Sequence, residues 1–164
     1  MIDLPANLRP GVRQATVALC HGCFDVIHFG HINHLESAAS LADHLIVSIT
    51  DDSYIEKAGR PIFSATERKR VLGALRFVDH VVLVAAPNAI PIIELLKPEY
   101  FVKGNEYSNL RRRSVLASQF SAERDLVLSY GGIVAFTDEP VWSTTETLER
   151  LTRTAPWRDR KAGV

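Results

Sequence analysis

The chain has 164 residues, and its 19 Lys and Arg balance 19 Asp and Glu, so its formal net charge is zero. A chain of this length is typical of one domain and buries about two thirds of the surface that its unfolded form exposes. The balanced charge gives no basic excess for nucleic acid, and no apolar run approaches the roughly 20 residues of a membrane helix. Because residues 1–14 are polar and unlike a secretory signal, we expect a cytoplasmic protein.

Apolar runs and amphipathic stretches alternate along the chain and predict strands and helices in turn. Residues 1–14 contain helix breakers and predict an irregular arm; the domain follows at residues 15–154 and a charged tail at residues 155–164. Strands are predicted at residues 15–20, 45–49, 81–84, 100–103 and 133–136. Helices are predicted at residues 32–42, 64–77, 88–96, 115–129 and 143–152.

This alternation predicts an α/β fold: a single doubly wound, five-stranded parallel sheet with helices on both faces. In such sheets ligands bind outside the carboxyl ends of the strands. Several polar stretches follow predicted strands: the loop after the first strand, Asp51, Lys103 with Gly104, and residues 142–145. Parallel strands bring these stretches to one edge, which predicts a single site there.

The loop of residues 22–31, Gly-Cys-Phe-Asp-Val-Ile-His-Phe-Gly-His, joins the first predicted strand to the first predicted helix. The N–H groups at a helix start have no partner inside the helix, and the helix dipole there favours negative charge. His28 and His31 add ring N–H donors, and Gly30 leaves room for a phosphate to approach the backbone. The loop therefore predicts a phosphate-binding site.

This loop resembles the HxGH signature of the cytidylyltransferase-like nucleotidyltransferase superfamily. Residues 142–145, Trp-Ser-Thr-Thr, resemble the Ser-Thr-Thr helix start of the same enzymes. Residues 103–107, Lys-Gly-Asn-Glu-Tyr, resemble the Lys-Gly-Gly-Asp-Tyr stretch of the heptose-1-phosphate adenylyltransferase branch. Residues 67–68 and 76–79 resemble stretches of that branch and of the glycerol-3-phosphate cytidylyltransferases. These resembling stretches, in the right order along the chain, imply a Rossmann-like nucleotidyltransferase fold.

The resemblance also implies an enzyme that transfers a nucleoside monophosphate from a nucleoside triphosphate to a phosphorylated sugar or polyol and releases pyrophosphate, with AMP favoured. It implies that His28, His31 and Lys103 are catalytic, the histidines as donors to the triphosphate. The nucleotide-binding residues that it implies are Gly22, Cys23, Phe24, Asp25, Gly30, Gly104, Trp142, Ser143, Thr144 and Thr145. We expect Mg²⁺ to arrive with the triphosphate and not to be held by a protein cage, and we expect a homodimer without nucleic-acid or membrane partners.

Residues 54–61 contain few apolar side chains and predict a loop that ligand orders. Lys57 and Arg60 in this loop, and Arg68 shortly after it, offer cations for the phosphate of the second substrate. Asp51 is predicted to contact the hydroxyl groups of the same substrate. These four residues form the predicted acceptor site.

Several alternatives stay open from the sequence. The alternative substrate pair is CTP with a polyol phosphate or phosphonate, although residues 137–140 lack the arginine that glycerol-phosphate enzymes carry there. A second alternative is a module that binds nucleotide without turnover. Cys20 and Cys23 have the spacing of a redox pair or half a zinc site, but no second pair exists, and we expect structural cysteines. Asp25 has two open roles: its carboxylate either binds magnesium or fixes its own loop by accepting the N–H groups there. The arginine run at residues 111–113 is more typical of a solvated face than of an anion site.

Overall fold

The computed structural model describes residues 2–9, 11–56, 59–108, 115–138 and 153. Its strands are β1 (Val17–Gly22), β2 (His44–Thr50), β3 (His80–Val84), β4 (Tyr100–Gly104) and β5 (Ile133–Thr137). Its helices over these ranges are α1 (Phe29–Ala39), α2 (Ala65–Leu72), α3 (Ile90–Leu96) and α4 (Val115–Ser129). Short 3-10 turns occur at Ala6–Leu8, Asp52–Tyr54 and Asn105–Tyr107.

The five strands form one sheet in the order β3-β2-β1-β4-β5, and every neighbouring pair is parallel. Leu19 of β1 lies opposite Ile46 on one side and Phe101 on the other. The chain moves outward from β1 to β3 and then returns to the opposite side of β1, so the strand order reverses between β1 and β4. The predicted doubly wound parallel sheet is confirmed, and its switch point lies at the carboxyl ends of β1 and β4.

The sheet is covered on both faces, as the continuous apolar run of β1 predicts. Val17 and Leu19 pack in the cluster that includes α3 and α4, whereas Ala18 and Cys20 pack in the cluster that includes α1 and α2. All four side chains are fully buried. This double burial fixes β1 at the centre of the sheet and places the loop after it at the switch point.

Helix ends follow local chemistry. Ser64 caps α2 with a capping box, as predicted: its hydroxyl accepts the Glu67 N–H, and the Glu67 carboxylate accepts the Ser64 N–H. The helix ends at Leu72 and not at residue 77, because Gly73 has a low helix propensity and the chain continues in turns. The bounds of α4 agree with the prediction, whereas the helix predicted at residues 143–152 lies outside the described residues.

The N-terminal stretch is tied to the domain. Leu4 and Leu8 are buried in the cluster that contains α3 and α4. The guanidinium of Arg13 donates to the carbonyl oxygens of Leu96 and Lys97 at the end of α3. The division of the chain into an arm, a domain and a tail stays a prediction.

Candidate active site

The loop after β1 begins with a strained residue. Phe24 has a φ of +48°, a left-handed conformation that bulky side chains rarely adopt. Its ring lies edge-on to His31, with the ring centroids 5.3 Å apart. A Cβ atom on Gly22 would lie 3.2 Å from the same ring, so glycine permits this close packing. The strain and the packing together fix the direction in which the loop enters α1.

His28 and His31 meet at the start of α1, where His28 is the N-cap residue. Their rings stack with centroids 3.9 Å apart and planes inclined by 26°. Both ring nitrogens of His28 and the Nδ1 atom of His31 are buried and have no hydrogen-bond partner. Buried polar atoms without partners are unfavourable, so these nitrogens suit a polar ligand that accepts an N–H from the rings.

Burial keeps both rings of this pair neutral at pH 7. It lowers the pKa of His28 from its usual 6.5. Burial, followed by the charges of His28 and His34, lowers the pKa of His31 to about 4, against the opposite effect of a backbone hydrogen bond at Val26. The negative charge of a phosphate would favour protonated rings and so oppose the effect of burial.

Asp25 holds a distant segment against the same loop. Its buried carboxylate accepts the N–H groups of Ile62 and Phe63 at 2.8–2.9 Å and pairs with the Arg60 guanidinium. Burial alone would raise the pKa of Asp25, but the hydrogen bonds from Phe63, Ile62 and Arg60 lower it below its usual value. The backbone N–H groups that Asp25 accepts thus belong to Ile62 and Phe63 and not to its own loop, which differs from the sequence prediction.

Arg68 connects three parts of the site from inside the protein. Its guanidinium, 1% exposed as a residue, donates to the carbonyl oxygens of Phe63, Cys23 and Thr50 and to the Asp52 carboxylate at 2.6 Å. Four of its five N–H donors are thereby used. Arg68 is thus placed to hold the loop after β1 against the end of β2. Its predicted contact with a phosphate has at most one N–H available and stays a prediction.

Of the two remaining residues of the predicted acceptor-substrate site, the structure describes Asp51 but not Lys57. Asp51 follows β2, and its carboxylate accepts the N–H and hydroxyl groups of Ser53, which lowers the pKa of Asp51. Other predicted site residues lie outside the described residues: Lys57, Trp142, Ser143, Thr144 and Thr145. The arginine run at residues 111–113, predicted to be a solvated face, also lies outside them. The two predicted cations that the structure describes, Arg60 and Arg68, both contact the loop after β1.

A cavity of about 150 Å³ opens between the carboxyl ends of the central strands. Its lining combines predicted site residues with others: His21, Gly22, Cys23, Thr50, Pro87, Lys103, Tyr107, Gln119, Phe120 and Glu123. Lys103, at the end of β4, pairs with Glu123 of α4 at 3.0 Å between Nζ and Oε2. Lys103 is thus buried and paired, not solvated. Gly104 ends the same strand, and Gly30 lies in the first turn of α1.

The lining residues outside the predicted set include a glutamate and a histidine, Glu123 and His21. Glu123 is buried on the apolar stripe of α4, between Phe120 and Val127. A carboxylate at a core position of a helix was the sequence signal for it. His21 binds the Ser48 hydroxyl through Nδ1 at 2.8 Å, and burial, followed by the Lys103 charge, lowers the pKa of His21 to about 3. His21 is a neutral part of the cavity wall.

The cysteines differ in environment, and neither forms a disulfide. Cys20 is fully buried, and burial raises the pKa of its thiol far above the usual range. A redox pair or a zinc site needs thiolates, which this burial opposes. Within the described ranges no three or more His, Cys, Asp and Glu side chains are grouped as metal ligands would be. The same part of the chain contains no helix with the length and apolar character to cross a membrane.

Comparisons with known protein sequences match the chain to a family model and to several relatives. A family model described as Cytidylyltransferase-like matches residues 19–149. A bifunctional protein HldE of Campylobacter fetus subsp. fetus is 35% identical over 130 residues, which are 77% of this chain and 28% of that protein. The HldE protein of Gluconobacter oxydans is 37% identical over 145 residues, 87% of this chain and 28% of that protein. The chain therefore spans 28% of the length of these relatives.

Solved structures share the architecture at lower identity. A lipopolysaccharide core biosynthesis protein from Thermoplasma volcanium is similar with a TM-score of 0.62 and 22% identity, over 77% of this chain and 99% of that chain. Pantothenate synthetase from Thermus thermophilus has a TM-score of 0.55 and 18% identity, over 96% of this chain and 68% of that chain. Both likenesses support the fold.

Proposed function

The chain belongs to the cytidylyltransferase-like family of nucleotidyltransferases, and on that premise we propose that it transfers AMP from ATP to a phosphorylated sugar or polyol and releases pyrophosphate. The resemblance of residues 103–107 to heptose-1-phosphate adenylyltransferases supports ATP and a sugar phosphate. The HldE relatives are at least 33% identical in the matched region and support the same choice.

The stacked histidines carry the proposal. His28 and His31 present three buried, unpartnered nitrogens at the start of an 11-residue helix. The N–H groups and dipole of the α1 start favour an anion at the same place. A triphosphate would supply oxygen atoms that accept the ring N–H groups, of which each neutral imidazole has one.

The proposed reaction needs no covalent bond between the protein and a substrate. A phosphate oxygen of the acceptor attacks the α-phosphorus of ATP, and the bond from that phosphorus to the bridging oxygen of the β-phosphate breaks. Pyrophosphate leaves with the electron pair. Since the attacking oxygen is already ionised, the chain needs no general base. It must align the reactants and stabilise negative charge that grows on the phosphoryl oxygens. His28, His31 and Lys103 are the donors proposed for that charge.

Mg²⁺ prefers oxygen ligands and usually binds through one or two carboxylates together with substrate phosphates. The Asp25 carboxylate already accepts two backbone N–H groups and pairs with Arg60. The described residues therefore fit a Mg²⁺ ion held mainly by the triphosphate and not by the protein. Such an ion would neutralise phosphate charge when bound.

The remaining assignments extend the proposal. Lys57, Arg60, Arg68 and Asp51 are proposed on the acceptor side of the site. The proposed nucleotide-binding residues are Gly22, Cys23, Phe24, Asp25, Gly30, Gly104, Trp142, Ser143, Thr144 and Thr145. We also propose a cytoplasmic homodimer, whose mass light scattering after gel filtration would measure.

A pyrophosphate-release screen tests the proposal. Four nucleoside triphosphates are combined with sugar 1-phosphates including heptose 1-phosphate, with polyol phosphates including glycerol 3-phosphate, and with phosphonates. The control is the His28→Ala/His31→Ala double variant. We expect the highest rate with ATP and a sugar phosphate. A CTP-specific rate with a polyol phosphate or phosphonate would move the assignment to cytidylyl transfer. No release in any pair, with MgATP still bound, would identify a nucleotide-binding module and overturn the enzyme assignment.

A further inference from the structure

Lys103 and Glu123 form an ion pair in the wall of the cavity. They come from different elements, the end of β4 and the middle of α4, and are 4% and 3% exposed. Their charged atoms lie 3.0 Å apart. A buried charge without a partner is strongly unfavourable, so the ammonium and the carboxylate each depend on the other.

Glu123 is the fixed member of this pair. Its Oε1 atom accepts the backbone N–H of Ala89 at 2.8 Å, at the N-cap of α3, while Oε2 faces Lys103. The carboxylate is thus held through both oxygens. Lys103, in contrast, has a flexible four-carbon stem that by itself would not define where its ammonium lies.

Aromatic rings surround the same ammonium without neutralising it. The Lys103 Nζ atom lies 4.7 Å from the ring centroid of Phe101 and 4.8 Å from that of Tyr107. Burial raises the pKa of Tyr107 to about 12, so its phenol stays neutral at pH 7. The rings limit the directions open to the ammonium, and Glu123 supplies the negative charge.

We propose that Glu123 is a positioning residue, which holds the Lys103 ammonium at the cavity so that its remaining N–H donors point to phosphate oxygens of a bound nucleoside triphosphate. An ammonium has three donors, and the pair with Glu123 uses one of them. The inference rests on the proposed function, which places Lys103 at the triphosphate. Glu123 acts through Lys103 and need not contact substrate.

The test is a double-mutant cycle with MgATP as the probe, measured by titration calorimetry. Its four proteins are the unmodified chain, Lys103→Met, Glu123→Gln and the double variant. Glutamine keeps an oxygen for the Ala89 N–H but removes the charge. We expect Lys103→Met to weaken MgATP binding about tenfold, the effect of one charge-assisted hydrogen bond. Glu123→Gln should weaken it about fivefold when Lys103 is present and less than about twofold when it is absent.

An equal effect of Glu123→Gln in both backgrounds, or none in the presence of Lys103, would overturn the proposal. Glu123→Asp then separates position from charge, because it keeps the carboxylate but retracts it by one methylene group. We expect about threefold weaker binding from this variant; unchanged binding would overturn the positioning role. Glu36→Gln, which removes the carboxylate of an exposed pair with Arg76, is the matched control and should bind MgATP normally.

Folding is measured beside binding. Each single variant should lower the free energy of unfolding, and the double variant should recover part of the loss because it buries no charge. If Glu123→Gln does not fold, Glu123→Asp carries the test. The titrations are repeated with MgCTP. An unmodified chain that binds neither nucleotide would refute the proposed function and this inference together, whereas binding without coupling refutes this inference alone.

Discussion

Two neutral histidines at the candidate site should make the fold less stable in mild acid. Burial, followed by the Lys103 charge, lowers the pKa of His21 to about 3, and burial lowers that of His31 to about 4. In the unfolded chain both rings titrate near their usual value of about 6.5. Below that pH the unfolded chain binds protons that the folded chain excludes, so acid favours unfolding.

The size of the effect follows from the two pKa values. Each histidine contributes stability that is fully present above pH 6.5 and is lost as the pH falls toward its folded pKa. At about 1.4 kcal/mol per pH unit, the fall from pH 6.5 to pH 5 costs about 2 kcal/mol for each ring. His31 is partly exposed and solvent screens its contribution, so we expect a total loss of about 3 kcal/mol.

Denaturant unfolding at pH 5, 6, 7 and 8, followed by circular dichroism, measures this loss. Carboxylates with lowered pKa values lose their contribution only below about pH 4.5, outside this range. His21→Gln is the control, because an amide can still bind the Ser48 hydroxyl. Between pH 6 and pH 5 the free energy of unfolding should fall less steeply for this variant than for the unmodified chain. The difference between the two slopes should be about 1.4 kcal/mol per pH unit. Equal stability of the unmodified chain at pH 5 and pH 7 would refute the neutral, buried state of both rings.

Three further predictions concern the histidines, the metal and the acceptor side of the site. His28→Ala and His31→Ala should each lower turnover by about 10²–10³ with folding retained, because each removes a donor to developing charge; near-normal turnover would remove that ring from the mechanism. Excess chelator should abolish turnover and added Mg²⁺ restore it, whereas full activity in chelator would contradict a metal carried by the triphosphate. Arg60→Ala should raise the half-saturating concentration of the acceptor more than that of the nucleotide, and both substrates together should slow proteolysis within residues 54–61. Equal weakening of both substrates would place Arg60 on the triphosphate.

The sheet could be predicted from the sequence because its strands are buried on both faces. The continuous apolar runs around Leu19 and Ile46 distinguish such strands from amphipathic helices, and their alternation with helices leaves few topologies. The start of α1 was harder to predict from the sequence. The apolar periodicity of α1 becomes visible only at Ile32, whereas the helix begins at Phe29, within the motif itself.

The proximity of His28 and His31 was predictable because both lie in one short turn of the chain. The supporting contacts were not, because they join residues far apart in sequence. Asp25 binds the N–H of Ile62, 37 positions later, and this contact depends on the path of the intervening loop. Glu123 left a weaker signal, a charge on an apolar stripe, whose partner Lys103 only the fold identifies.

The central claim is that the nucleotidyl group of ATP moves to a phosphorylated sugar. ATP labelled at the α-phosphate, incubated with heptose 1-phosphate and Mg²⁺, tests it when the products are separated and weighed by mass spectrometry. The account predicts that the label leaves ATP in a nucleotide-linked sugar, with one unlabelled pyrophosphate formed for each. Label that stays in ATP with every sugar phosphate supplied, or that appears as free AMP whether or not a sugar phosphate is present, would contradict it.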